Sequence, residues 1–419
     1  MLSVHTSPLA MLGGKEAGGM NVYVRDLSKE LALNGHWVDV YTRSQDPSLP
    51  RVSGKVGRGV RVINVPAGPE EPYDKHRVYD HLPEFVDGVL AQQRHDGVDY
   101  DVIHSHYWLS GAAAKRLRER WHSPIVHMFH TLGKMKNIVA RRPGERETRR
   151  RIGVEREIVN FADAVVAATP AEEKQLLQMY DAPAERIHVI SPGVDVDRFH
   201  PIPMSYAKDH IGLCPDRRAI LFVGRIEPLK GIGNLLEAVA LIVEREPSLR
   251  DHLCVSIIGG DVDKVREDDE MVRLRGLREK LGIGEVVTFL GSKDQDLLPY
   301  YYSAAEVLVM PSDYESFGLV ALEAMACGTP VIASDVGGLA YLVKDGRTGY
   351  RVPARDPEAL ADRIGRLLDD EGLRRRIGQR ATCWAESYAW SKIARRIEGL
   401  YEETLAQPVA DRPKCACAN

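Results

Sequence analysis

The chain has 419 residues, 44% hydrophobic and 28% charged, with a formal net charge of −4. That length exceeds one ordinary core and suggests two or more domains, and the near-neutral balance argues against a polyanion such as nucleic acid as partner. No apolar run approaches the ~20 residues of a membrane span, no basic-then-apolar leader opens the sequence, and six cysteines in such a chain do not make a disulfide framework. A reduced, cytoplasmic setting is therefore expected.

Short β-rich runs alternate with helical patterns along nearly the whole chain. In order they are HWVDVYT, VRVINV, YDVIHSH, PIVHMFH, DAVVAAT and RIHVISPG, then AILFVG, CVSIIGG, VVTFLG, VLVMPS and PVIAS. Continuous apolar strands separated by helices predict parallel sheets covered on both faces, hence two doubly wound α/β domains. The break is expected near SPGVDVDRFHPIP. This gives an N-terminal domain over 1–200, a C-terminal domain over 201–385, a helix over 386–407 returning to the first domain, and an unstructured tail over 408–419. The tail holds Cys415 and Cys417, without the companion ligands of a metal site.

Ligands of such sheets bind at the carboxyl ends of the strands, so the loops there carry the chemistry, in an expected cleft between the domains. Before the first helix, expected over Met20–Asn34 and stopped by Gly35, lie the pairs Gly13-Gly14 and Gly18-Gly19. Such glycines let backbone N–H groups approach an anion, or simply make a flexible loop. Neither this loop nor GIGNLL at Gly231 fits the G-x-G-x-x-G dinucleotide fingerprint, which disfavours a dehydrogenase. His104, His106, Tyr107, His130 and Thr131 stand at strand ends, without the spacing of a zinc site. The basic stretch ARRPGERETRRRIGVERE predicts arginines paired with nearby glutamates on a helix, with one or two free to clamp a phosphate.

In the second half, Arg225 and Lys230 share a strand-to-helix loop, where two cations can neutralise a pyrophosphate leaving group. In DYESFGLVALEAMACGTP, Glu315 precedes a helix expected over Phe317–Cys327, with Ser316, Phe317 and Gly318 in its first turn. Glu323 lies one and a half turns in. Such a helix start is an anion site, whereas the E-x7-E spacing alone says little.

Together GGMNVY at Gly18, HVISPGVD at His188, FVGRIEPLKG at Phe222 and the run from Pro311 to Leu339 resemble the retaining GT-B glycosyltransferases of family 4, over essentially the whole chain. Within that family HTSP at His5, GGMNVY, INVPAGP at Ile63, IHSHYWLSG at Ile103 and HTLGKMKN at His130 are most similar to the D-inositol-3-phosphate glycosyltransferases of mycothiol synthesis. These transfer GlcNAc from UDP-GlcNAc to 1D-myo-inositol 3-phosphate. HTLGKMKN also resembles the sucrose-phosphate synthases.

The resemblance implies that Gly19 lies at the donor pyrophosphate. Arg225 and Lys230 would grip the UDP phosphates, Glu315 the transferred sugar and Glu323 the ribose, with Ser316, Phe317, Gly318 and Leu319 completing the donor site. His5, Asn21, Lys75, Tyr107, Thr131 and Arg151 would surround the inositol phosphate. His130, with Arg225, Lys230 and Glu315, belongs to the implied catalytic set, orienting the sugar. No cofactor is required for the chemistry. A magnesium ion near Tyr302, Ser303, Ala305 and Thr329 is implied as well, although Ser303 stands where those enzymes have arginine. A UDP-sugar and a phosphorylated small molecule are the implied partners, and a homodimer the oligomer considered. The other readings are a sucrose-phosphate synthase-like transfer of glucose to fructose 6-phosphate, a UDP-sugar epimerase on the same fold, and a non-catalytic sugar-nucleotide-binding protein.

Overall fold

The computed structural model describes residues 1–10, 18–140, 143–260 and 269–406. The glycine pair Gly13-Gly14 and the tail with Cys415 and Cys417 lie outside these residues. Two compact units form. Unit one takes 1–10, 19–191 and the chain from Ser391, and unit two takes 192–390.

Unit one contains β1 (Val38–Arg43), β2 (Val52–Ser53), β3 (Val60–Val65), β4 (Ile103–His106), β5 (Ile125–Met128), β6 (Ala164–Ala167) and β7 (Ile187–Val189). β1 pairs in parallel with β3, and β4 to β7 pair in parallel in sequence order. Leu2 joins the two groups, bridging Tyr41 of β1 and Ser105 of β4. The first strand is thus reduced to one bridging residue. It still works as a strand, because Leu2 donates to His104 O at 2.8 Å and Ser3 to Tyr41 O at 2.9 Å. The short antiparallel β2 was not apparent in the sequence.

Unit two contains β8 (Arg218–Val223), β9 (Leu253–Ile258), β10 (Val287–Gly291), β11 (Val307–Met310), β12 (Val331–Ser334) and β13 (Gly349–Val352). The order is β10-β9-β8-β11-β12-β13, parallel throughout. β13, GYRV, went unnoticed because a glycine and an arginine interrupt the apolar pattern. β4, β5, β6, β11 and β12 are buried at every position, as strands covered on both faces must be. Each unit has its own apolar cluster, built around Trp108, Phe85 and Phe129 in one and Phe222, Leu236 and Ile364 in the other.

The order reverses between β8 and β11, because the chain winds outward from β8 in one direction and then the other. Loops leaving the two central strands diverge there and leave room for a ligand at the carboxyl edge. In unit one the equivalent reversal lies between the Leu2 strand and β4. At the C-terminus the 386–407 stretch is broken, with a short 3-10 turn at Glu386–Tyr388 ahead of the helix Trp390–Ala406. Within unit one that helix is tied by Tyr401 Oη to His104 Nδ1 at 2.7 Å and by Glu398 to Asn34 and His36 at 3.0 and 2.8 Å.

Candidate active site

In unit one, Arg151 is the hub of a buried charged cluster. It sits on the helix Arg149–Phe161, whose N-cap Thr148 accepts from its backbone N–H. Glu155, one turn on in the helix, reaches it at 2.7 Å, and Glu147, just ahead of the N-cap, at 2.8 Å. Its guanidinium also donates to Tyr107 Oη at 2.8 Å, Thr131 O at 2.6 Å and Thr131 Oγ at 3.1 Å. The side chains of Arg151 and Glu155 are fully inaccessible. The pairing expected of these arginines is present, but in the interior rather than on a solvated face. Glu155 also accepts from Tyr180 Oη and Gly133 N, and Glu147 from Lys136 Nζ. Neither glutamate was singled out in the sequence, because spacing shows the pairing and not the burial.

Around this hub lie the other residues expected to meet the acceptor. The His5 ring rests on Tyr107 at 4.4 Å between centroids. Its Nδ1 is buried with no hydrogen-bond partner among the described residues. Burial holds His5 at about 3, helped by the nearby charges of Lys75 and Arg151. Lys75 opens the short helix Lys75–Val78, capped by Asp74. Asn21 spends its amide on Thr6 Oγ and Ser7 O, both at 2.6 Å, so it braces the His5 loop. Tyr107 and His130 have φ of 74° and 60°. Such left-handed backbones cost non-glycine residues about 1–3 kcal/mol each and cluster at functional sites.

His130 contacts His106, Nε2 to Nδ1 at 3.1 Å, and packs edge-on to Tyr23. Burial lowers His130 to about 3, so its imidazole is neutral at pH 7 and can orient a hydroxyl without storing a proton.

In unit two, Lys230 closes a 3-10 turn after β8 and Glu315 lies in the loop after β11. They meet at 2.5 Å between Nζ and Oε2. Arg225 pairs with Glu227 at 2.8 Å. The loop 311–318 is packed tightly. A Cβ on Gly231 would lie 2.0 Å from Pro311 O, and one on Gly338 2.3 Å from Phe317 Cα. Gly338 N also donates to Glu315 O at 2.8 Å. The helix begins at Leu319 rather than Phe317 and ends at Ala326. Gly318 is its N-cap at φ 105°, so Ser316, Phe317 and Gly318 form the approach to the helix and not its first turn. Glu323 is buried and accepts from Tyr302 Oη at 2.7 Å.

The residues implied for magnesium do not fit that ion. Tyr302, Ser303, Ala305 and Thr329 offer neutral oxygens only, whereas magnesium is normally held by one or two carboxylates. The Tyr302 carbonyl already accepts from Thr329 Oγ at 2.6 Å and Ala305 N at 3.1 Å. Among the described residues no group of three His, Cys, Asp or Glu side chains is placed to hold a metal.

The two halves match two family models, Glycosyltransferase Family 4 over residues 17–198 and Glycosyl transferases group 1 over 208–384. D-inositol 3-phosphate glycosyltransferase 2 of Catenulispora acidiphila is 41% identical over all of this chain and 97% of its own length. The chain belongs to glycosyltransferase family 4. D-inositol 3-phosphate glycosyltransferase of Corynebacterium jeikeium is 42% identical over 96% of each chain. Among solved structures, sucrose-phosphate synthase of Thermosynechococcus elongatus superposes with a TM-score of 0.88, at 37% identity over 97% of this chain and 98% of its own. The fold is GT-B, and the protein is a hexosyltransferase.

Two predictions follow from the buried groups. Arg151→Ala strands Glu147 and Glu155 in the interior, and losing one partner of a buried pair typically costs about 3–5 kcal/mol. The variant should therefore unfold at markedly lower temperature by calorimetry, whatever its effect on binding. The second prediction concerns pH. His5, His127 and His130 take protons at about 3 when folded and near 6.5 when unfolded. The unfolded state thus binds protons first as pH falls through 6.5, and each histidine removes up to about 1.4 kcal/mol per pH unit below that. Glu172, pushed up to about 7 by burial, acts in the opposite sense between 7 and 4.5, but it is one group against three. Melting temperature should drop steadily from pH 7 to pH 5, and a flat profile would contradict the neutral buried imidazoles.

Proposed function

We propose that the enzyme is a retaining transferase that moves GlcNAc from UDP-GlcNAc to 1D-myo-inositol 3-phosphate. The observation that carries this reading is the unit-one cluster, where Lys75, Arg151, Tyr107 and Thr131 lie around a neutral His5 whose Nδ1 has no partner among the described residues. Such a set suits a phosphorylated polyol, with cations for the phosphate and neutral donors and acceptors for hydroxyls. The names of the full-length relatives agree with it. Inositol phosphate would draw on Lys75, Thr131 and the Tyr107–Arg151 edge. Arg151 would act while still anchored by Glu155, which keeps its fork in place.

For the donor, Lys230 and Arg225 would take the pyrophosphate, Glu323 the ribose and Glu315 the sugar. Glu315 neutralises Lys230. An arriving pyrophosphate would take over Lys230 and free Glu315 to accept hydrogen bonds from sugar hydroxyls. The acceptor hydroxyl then attacks the anomeric carbon from the face that UDP leaves. A new C–O bond forms as the bond to UDP breaks, and the acceptor proton passes to a donor phosphate oxygen. Lys230, Arg225 and the amides before Leu319 stabilise the charge growing on UDP, commonly the largest contribution in such sites. His130 orients the sugar.

A second reading is transfer of glucose to fructose 6-phosphate. It is favoured by the likeness to sucrose-phosphate synthase and by HTLGKMKN at His130. Incubation with a panel of nucleotide sugars, with inositol 3-phosphate or fructose 6-phosphate and with product masses determined, decides between them. GlcNAc-inositol phosphate supports the first reading, and product with the hexose phosphate alone overturns it. Lys230→Ala should lower turnover by roughly 10²-fold or more, on the scale of one preorganised stabilising group; near-normal turnover contradicts its role. Lys75→Ala should raise the acceptor KM by roughly tenfold, about one charge-assisted hydrogen bond, while UDP affinity stays unchanged. Equal loss of both would contradict the division of labour.

A further inference from the structure

The turn between β13 and the helix Pro357–Asp369 carries Arg355, which has no part in the roles assigned above. We propose that Arg355 is a positioning residue for the donor. Through Asp313 it fixes the loop 313–318 that presents Glu315 and the amides before Leu319, and it thereby sets affinity for the UDP moiety. The proposal rests on the reading of this loop as the donor site.

Arg355 grips Asp313 with both arms of its fork, Nε to Oδ1 at 3.0 Å and Nη2 to Oδ2 at 3.1 Å. The β13 turn and the loop after β11 leave the same carboxyl edge of the sheet, with β12 between them. Two strand spacings make about 10 Å, a span that a long side chain can bridge. The planar fork suits a carboxylate in two bonds, which a lysine ammonium cannot copy. Asp313 is in turn tied to the other half of the donor loops, because its N–H donates to Leu229 O at 2.8 Å, next to Lys230. Arg355 therefore bears on Glu315 and Lys230 together.

Stability alone explains the pair poorly. The Arg355 side chain is 58% exposed, so solvent screens the pair from the arginine's side and trims what it gives to folding. Its φ of 64° places a non-glycine residue in the left-handed region, an unfavourable conformation for an arginine. By contrast the Asp313 side chain is only 2% exposed, so the carboxylate it holds is an internal fixture of the loop. A strained, exposed residue that clamps a buried one beside the site fits a positioning role.

The test compares R355A, R355G, R355K and D313N in the full chain, measuring UDP affinity by titration calorimetry, donor and acceptor KM, and melting temperature. R355A should weaken UDP binding and raise donor KM by about tenfold, on the scale of a hydrogen bond between charged groups, with acceptor KM unchanged, and melting temperature lost by leaving the Asp313 carboxylate unpaired should return when D313N is added. R355G should match R355A, although it relieves the backbone, and R355K should recover part of the loss. R355A combined with D313N should be no worse than either alone, since the two act as a unit. UDP affinity of R355A within twofold of the parent, in a protein where K230A weakens UDP, overturns the role of Arg355 and leaves the donor reading standing. A parent protein that binds no UDP overturns both. A drop in melting temperature with parallel losses for donor and acceptor also overturns the proposal, because it marks Arg355 as merely structural.

Discussion

Parallel sheets whose strand order reverses constrain everything that happens at their carboxyl edges. Adjacent loops must turn away from each other at the reversal, and the space they leave is lined by backbone amides and by whatever side chains the loops carry. In unit two the loops on either side of the reversal, after β8 and β11, hold Lys230 and Glu315. In unit one the loops after the Leu2 strand, β4 and β5 hold His5, Tyr107, His130 and Thr131. Residues separated by more than a hundred positions are neighbours for this reason. Close to the strand ends, before they part, the loops after β8 and β11 still touch, so a Cβ on Gly231 has no room beside Pro311 O.

The same constraint explains what could be read from the chain without coordinates. Strands of a parallel sheet covered on both faces are largely continuous apolar runs, so β1 and β3 to β12 stood out. GYRV of β13 broke that rule at the sheet edge, and Val52–Ser53 was too short to show a pattern. The start of the helix at Leu319 was misjudged because Ser-Phe-Gly reads as a helix opening. Only the backbone reveals that Gly318 takes a left-handed cap. The ring of loop residues was recognisable from motifs, but Asp313 and Arg355 were not, because their partnership skips a strand and has no sequence spacing to announce it. Pairing of arginines with nearby glutamates was expected in ARRPGERETRRRIGVERE, with neither Glu147 nor Glu155 named. Nothing in it told of an interior network, since burial belongs to the tertiary fold.

Charge balance unites the two parts. Each of Arg151, Arg225 and Lys230 is matched by a carboxylate. A cation left bare in a site poor in water would lose hydration with nothing to replace it. A paired cation stays in place, and an anionic ligand then exchanges one partner for another. The exchange can be selective, because a phosphate offers more charge and more acceptor oxygens than the glutamate it displaces.

The two parts differ in how completely that exchange can proceed. Lys230 and Glu315 are each about one-sixth exposed and joined by one contact, so they can be separated without leaving either charge sealed in the interior. Arg151 is sealed between two glutamates and two hydroxyl-bearing residues, and removing any one would strand a buried charge. Its contribution is therefore a fixed field and a fixed Tyr107–Thr131 edge, not a side chain that swings. Preorganised dipoles and charges of this kind need no rearrangement when a ligand arrives. The Arg151 cluster of unit one is therefore rigid and selective by shape. Unit two carries a looser ion pair, Lys230 with Glu315, in a loop held by neighbouring turns.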